Sequence, residues 1–222
     1  MSSFALKIIA LISMFCDHFG YFITHGTFSF MNYLGRLAFP IFAFQISEGY
    51  THTHDIKKYM TRLFLFALIS QIPFMLYCNS IGFNFELNIF FTLLLGLICI
   101  FLYDKSKHKI QAIIAIVAIC YIGELLKVDY GFWGILLIFL FYLFKNNKVL
   151  MSISFLLMCA YKFSLPMLET GFNLRYLIAG LSTFLSIVPI LLYNGKLGYK
   201  TKYLLYIFYP AHLLLFYVAS FI

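Results

Sequence analysis

Charge is what this chain has least of. Asp, Glu, Lys and Arg make up 11% of its 222 residues, and only eight residues are acidic. Soluble domains carry about a quarter charged residues. Cys16, Cys78, Cys99, Cys120 and Cys159 include no CxxC pair and sit mostly inside apolar runs. They read as small hydrophobes, not as a disulfide framework or a metal site. There is no Walker loop, GxSxG elbow, HExxH or GxGxxG placed after a strand. His52-x-His54 has no cysteine near it, so no metal is expected. The lysines are scattered over loops instead of gathered on one face, which argues against nucleic acid as a partner.

What fills the space is apolar. Hydrophobic residues reach 63%, with 28 Phe and 17 Tyr, and the mean hydropathy is +0.93. A globule of this size has too much surface to hide that many apolar side chains. A soluble enzyme, a disordered chain and a fibrous protein are all excluded. A porin-type barrel alternates apolar and polar residues, whereas runs such as residues 91–102 are continuously apolar. Lipid offers the backbone no hydrogen-bond partners, so such runs are helices. The expected fold is all-α: a polytopic membrane bundle in a single domain, residues 1–222.

Nine spans are expected, near residues 4–24, 32–50, 60–78, 86–103, 110–127, 130–144, 149–168, 174–193 and 203–222. The sixth is short enough to be a tilted or re-entrant piece. The first lacks a basic leader and an Ala-x-Ala site, so it reads as a retained span. Alternate loops hold Lys57, Lys58 and Arg62; Lys105, Lys107 and Lys109; Lys145 and Lys148; and Lys196, Lys200 and Lys202. That is eleven of the sixteen Lys and Arg, and the opposite loops keep little beyond Lys127 and Arg175. Basic loops stay in the cytoplasm. The N-terminus is then expected inside and the C-terminus outside.

Ionisable groups within spans are costly and mark functional candidates. Asp17 and His18 fall roughly 10 Å below the outer edge of the first span, and Arg36 roughly 6 Å deep in the second. Asn88, Thr92, Glu124, Asp129, Tyr130, Lys162 and His212 come from other spans at mostly similar depth. Together they suggest a polar cavity toward the outer face. A second set, Glu48, His52, Lys57, Lys58 and Arg62, lies on the inner side, where the basic residues could meet a polyphosphate. His18 is the side chain best suited to act as a base near neutral pH. Asp17 cannot orient it on a regular helix, because adjacent positions point about 100° apart. Asp17 is therefore expected to pair with Arg36 or another helix, and His18 with a group from elsewhere, such as Asp129 or a water.

Several strings together are informative: Met14-x-x-Asp17-His18, residues 35–44 (Gly-Arg-Leu-Ala-Phe-Pro-Ile-Phe-Ala-Phe), Glu48-Gly49-Tyr50-x-His52-Thr53, Lys58-Tyr59-x-x-Arg62-Leu63, Ser70-Gln71-Ile72-Pro73-Phe74, residues 88–93, Asp129-Tyr130-Gly131 and Tyr209-Pro210-Ala211-His212. Their order and spacing resemble the TraX family, named for a conjugative-plasmid pilin acetylase, across essentially the whole chain. The resemblance implies an inner-membrane N-acetyltransferase that uses cytoplasmic acetyl-CoA. Its acceptor would be the amino terminus of a pilin-like or other exported peptide. It also implies a distant similarity to multispan acyltransferases of surface sugars. On that likeness His18 is the base, and Arg36 positions or neutralises the acyl donor. Asn88, Thr92 and His212 line the pocket. Gln71 stands where many relatives would have an acidic residue. The competing readings are an O-acetyltransferase of surface glycans and a non-catalytic transporter or assembly protein.

Overall fold

The computed structural model describes residues 1–84, 86–199 and 203–221. Lys200 and Lys202, counted above among the loop charges, lie outside the described residues, as does the last residue of the ninth expected span. The described chain is helical: α1 Ser3–Ile23, α2 Phe30–Gly35, α3 Ala38–His52, α4 Ile56–Ser80, α5 Ile89–Lys105, α6 Lys109–Leu125, α7 Gly131–Leu143, α8 Lys148–Thr170, α9 Leu174–Leu185, α10 Ile187–Leu191 and α11 Leu204–Ala219. Four stretches are long and apolar enough to cross a membrane: α1, α4, α8, and α9 with α10. Helices α7 and α11 are apolar but shorter.

The nine expected spans correspond to these helices, with two of them broken. The second divides into α2 and α3 at Arg36–Leu37, and the eighth into α9 and α10 at Ser186. Both breaks have the same cause. Pro40 is the third residue of α3 and Pro189 the third of α10. A proline has no N–H for the carbonyl four residues earlier, and its ring crowds that carbonyl, but it is tolerated in a helix's first turn. Pro73, Pro166 and Pro210 remain inside α4, α8 and α11.

The bundle is arranged around α7. Ile135, Leu137, Ile138 and Phe141 are all fully buried on this 13-residue helix, which packs against α3, α5, α6 and α8. A helix that is hydrophobic all round belongs in a core. The short sixth span is thus the central post of the bundle. The outside is apolar as well. Ile110, Ile114, Val117 and Tyr121 form an exposed stripe at helical spacing along α6. An apolar core inside an apolar exterior is what a bilayer solvent selects.

Close approach at the centre depends on small residues. A Cβ at Gly96 of α5 would come within 2.5 Å of Ile138 Cδ1 and 2.8 Å of its Cβ. Gly96→Leu is therefore expected to lower stability by roughly 1–3 kcal/mol. Thermal unfolding in detergent checks this, and Ile138→Ala in the same chain should recover part of the loss.

Candidate functional site

Polar residues on α1 recur at helical spacing. Met14, Asp17, His18 and Tyr21 share one face and line a cavity of about 330 Å³. The cavity lies where the second half of α1 meets Gly35–Phe39, the end of α4, the start of α5 and the α6–α7 connection. Arg36, Asp129, Tyr130, Lys162 and Tyr209 complete its polar wall. The break between α2 and α3 matters here, because it puts Arg36 at a helix end instead of along a continuous face.

His18 is held from both sides. The Tyr77 hydroxyl donates to the His18 carbonyl at 2.6 Å, and Asn32 Nδ2 donates to the Asp17 carbonyl at 2.8 Å. The His18 ring meets His212: Nδ1 and Nε2 are 2.7 Å apart. The protonation pattern follows from the next link. His212 Nδ1 lies 2.7 Å from the Phe208 carbonyl. A carbonyl can only accept, so His212 Nδ1 carries the hydrogen and its Nε2, in the neutral ring, is the acceptor. His18 Nδ1–H must then be the donor. This leaves the lone pair on His18 Nε2, which has no partner among the described residues, while the ring lines the cavity.

Asp17 and Arg36 face each other, with Nη2 3.8 Å from Oδ1. Asn32 Nδ2 also donates to Asp17 Oδ1 at 3.1 Å, and Arg36 Nη2 donates to the Tyr21 hydroxyl at 2.7 Å. The Arg36 Nε is buried with no partner among the described residues. The Asp17 side chain packs onto Gly35, where a Cβ would come within 2.7 Å of the Asp17 Cα.

Asp129 and Tyr130 reach the cavity through backbone geometry. Leu87 pairs with the segment around Val128, with Leu87 N–H donating to Lys127 O and Asp129 N–H to Leu87 O. Tyr130 is left-handed at φ +65° and stacks on Phe39 with ring centroids 4.0 Å apart. Lys162 Nζ sits 4.7 Å from the Tyr130 centroid and 4.5 Å from that of Trp133. Burial raises the Asp129 carboxyl to about 7, reinforced by the Glu86 carboxylate and opposed by Lys162.

Three expected pocket residues are elsewhere. Asn88 is fully buried and caps α5: its Oδ1 accepts from Phe90 N–H, and its Nδ2 donates to the Ala67 carbonyl and Gln71 Oε1. Thr92 donates to the Asp129 carbonyl. Neither lines the cavity. Depth along a helix is legible in the residues and direction around it is not, so the sequence expects both at the cavity and the structure turns them away. His212 is also absent from the wall; it stands behind His18, which makes it the partner for which Asp129 or a water had been the candidates. Tyr21, Tyr77, Tyr209 and Asn32 were missed. Tyr209 and His212 stand three apart on α11, a spacing that signals a shared face.

The inner set gathers around a second cavity of about 390 Å³. Glu48, His52 and Arg62 line it together with Lys7, Tyr59 and Tyr206. Glu48 and His52 pair at 3.2 Å, and Arg62 Nε donates to the Tyr206 hydroxyl at 3.3 Å. Lys57 and Lys58 do not line it. They are exposed on the first turn of α4, where Lys58 pairs with Asp55. The two cavities lie toward opposite ends of α1, and Phe42 borders both. Among the described residues no group of three or more His, Cys, Asp or Glu could hold a metal ion.

A family model described as TraX protein matches residues 2–220. A probable fimbrial assembly protein, FimC of serogroup H1, from Dichelobacter nodosus is 27% identical over 231 residues, covering 96% of this chain and 93% of its own. No solved structure matches.

The capping role of Asn88 makes a direct prediction. Asn88→Ala should lower thermal stability by roughly 1–3 kcal/mol, because it strands the Phe90 N–H and removes the bonds to the Ala67 carbonyl and Gln71 Oε1. Thermal unfolding of the detergent-solubilised protein measures this; a variant as stable as the parent would contradict the role.

Proposed function

The chain belongs to the TraX family, and on that premise we propose that it is a membrane N-acetyltransferase. It moves an acetyl group from cytoplasmic acetyl-CoA to an amine presented toward the outer side of the inner membrane. The acceptor is the N-terminus of a pilin-like or other exported peptide. The name of the Dichelobacter relative, a fimbrial assembly protein, supports a pilus-linked acceptor.

One observation carries this reading: two polar cavities meet at a single side chain, Phe42, with Arg62 on one side and His18 on the other. Lys7 and His18, one on each side, are about 16 Å apart along α1, a distance an extended pantetheine arm can cover. With the basic loops on the cytoplasmic side, the Arg62 cavity opens inside and the C-terminus lies outside. Arg62, Lys7 and His52 then meet the CoA phosphates, with exposed Lys57 and Lys58 left for those at the mouth. The acetyl-thioester passes Phe42 into the His18 cavity, where the amine meets it.

There the histidine chain does the proton work. His18 Nε2 takes the N–H proton as the amine attacks the thioester carbonyl, and passes it to the departing sulfur. His212 accepts from His18 Nδ1–H and keeps the lone pair on Nε2. Arg36, with an N–H free of partners, stabilises the negative charge that develops on the carbonyl oxygen.

The test is transfer of labelled acetyl from acetyl-CoA to peptide in membrane extract, by the purified protein in lipid nanodiscs. His18→Ala should abolish transfer without unfolding the protein, and full activity in that variant would end the assignment. His212→Ala should cost roughly a hundredfold or more in kcat while acetyl-CoA still binds. Phe42→Trp should block transfer with acetyl-CoA binding intact. If the folded wild-type chain labels no acceptor, the whole reading fails.

A further inference from the structure

The cavity around His18 carries more negative than positive charge. Among the described residues its wall holds three carboxylates, Asp17, Glu86 and Asp129, against two cations, Arg36 and Lys162. Asp17 is matched by Arg36. Lys162 lies over two aromatic rings and makes no ion pair within 4.0 Å among the described residues. Among the described residues the Asp129 carboxylate has neither a hydrogen bond nor an ion pair, although its backbone is fixed on both sides by Leu87 and Thr92. A second group in the same wall is also unmet. Tyr209 is only 2% exposed, and its hydroxyl makes no hydrogen bond of good geometry among the described residues. A carboxylate and a phenol, both held in place and both lacking a partner, are what a cation with several N–H donors would satisfy.

We propose that Asp129 and Tyr209 form the subsite that receives the acceptor as an ammonium ion, and that Asp129 takes its first proton. This rests on the acetyltransferase reading above and adds a step to it. An amine at neutral pH arrives as R–NH3⁺ and has no lone pair to attack with. The Asp129 carboxylate removes one proton, giving R–NH2. Its nitrogen attacks the thioester carbon; the C–N bond forms and the C–S bond breaks. The second N–H proton goes to His18 Nε2 and then to the thiolate, which leaves as CoA thiol. The proton on Asp129 is released to water. The sum is ammonium plus thioester giving amide, thiol and one proton. Two protons leave the nitrogen, and the cavity supplies one base for each.

The groups facing Asp129 are Glu86 from the α4–α5 connection, Lys162 from α8, Asp17 and Tyr21 from α1, Arg36 from the α2–α3 break, the Cys78 thiol from α4, and the phenols of Tyr130 and Tyr209. Their balance with burial brings the carboxyl to about 7. Only the carboxylate form can take a proton, so kcat/KM should fall as pH drops through about 7.

The experiment uses the full chain in nanodiscs, labelled acetyl-CoA, and alanyl-alanine amide as the acceptor probe. Asp129→Asn should lower kcat/KM roughly a hundredfold and erase the limb near neutrality. Asp129→Glu should restore part of both. Because the side chain makes no hydrogen bond, the Asn variant is expected to fold. Binding of the same probe is measured separately by calorimetry without acetyl-CoA. Asp129→Asn should weaken it roughly tenfold, about 1.4 kcal/mol, while His18→Ala should not. Wild-type transfer with an unchanged Asp129→Asn profile overturns the subsite and spares the acetyltransferase. Probe binding that depends on Asp129, without any transfer, supports the subsite and removes the acetyltransferase. Probe binding equal in wild type and Asp129→Asn overturns the subsite whatever the transfer assay gives.

Discussion

The hydrogen bond between His18 and His212 ties the first helix of the chain to the last, across 194 positions of sequence. In a bilayer the apolar exteriors of helices gain little by leaving lipid for one another, so polar contacts between helices carry much of the specificity of packing. This contact is well placed for that. It lies beside Tyr77, which donates to the His18 backbone from α4, and beside Phe216, which packs on the His212 ring from the same helix. The same contact between α1 and α11 decides which nitrogen of His18 keeps its lone pair. Structural and chemical demands therefore fall on one pair of rings.

The other buried polar groups divide the labour. Asn32 holds Asp17 and with it the packing of α2 on α1. Asn88 and Gln71 cap α5 and anchor the connection before it: Gln71 Oε1 accepts from Asn88, and its Nε2 donates to the Glu86 carbonyl. Thr92 then holds the Asp129 carbonyl from inside α5. None of these three touches the cavity, but together they fix the two loops that bring Glu86 and Asp129 to it. A neutral amide suits the Gln71 position, because it must both accept and donate there, which a carboxylate cannot do.

Much of this could be read from the residues. The nine apolar runs locate the helices to within a few positions, because length and hydropathy are the constraints a bilayer imposes. Depth along a helix gathered Asp17, His18, Arg36, Asp129, Tyr130 and Lys162 at one level, and the structure brings them to one wall. What depth could not give was rotation. Asn88 and Thr92 lie at a similar level but turn toward neighbouring backbone, and His212 turns toward another histidine. The breaks at Arg36–Leu37 and Ser186 were signalled by Pro40 and Pro189. Their position depends on proline falling in the third residue of the following helix, a detail that apolar runs conceal. Lys57 and Lys58 shared a charge cluster with Arg62, but only Arg62 points inward. Charge clustering records which side of the membrane a loop favours, not which side chains face a cavity.

Phe42 is the one side chain common to both cavities. On the proposed reading each cavity holds water continuous with one side of the membrane, so the insulating layer is thinnest around Phe42. A membrane voltage drops mainly across the part that does not conduct. The potential would then fall mainly around Phe42 instead of evenly over the whole hydrocarbon thickness. Moving one elementary charge through that drop is worth roughly 2.3 kcal/mol per 100 mV. On the same proposed reading a polyanionic donor would stay on its own side and send only an uncharged arm across, so the energised state of the cell would neither drive nor resist delivery of the acetyl group.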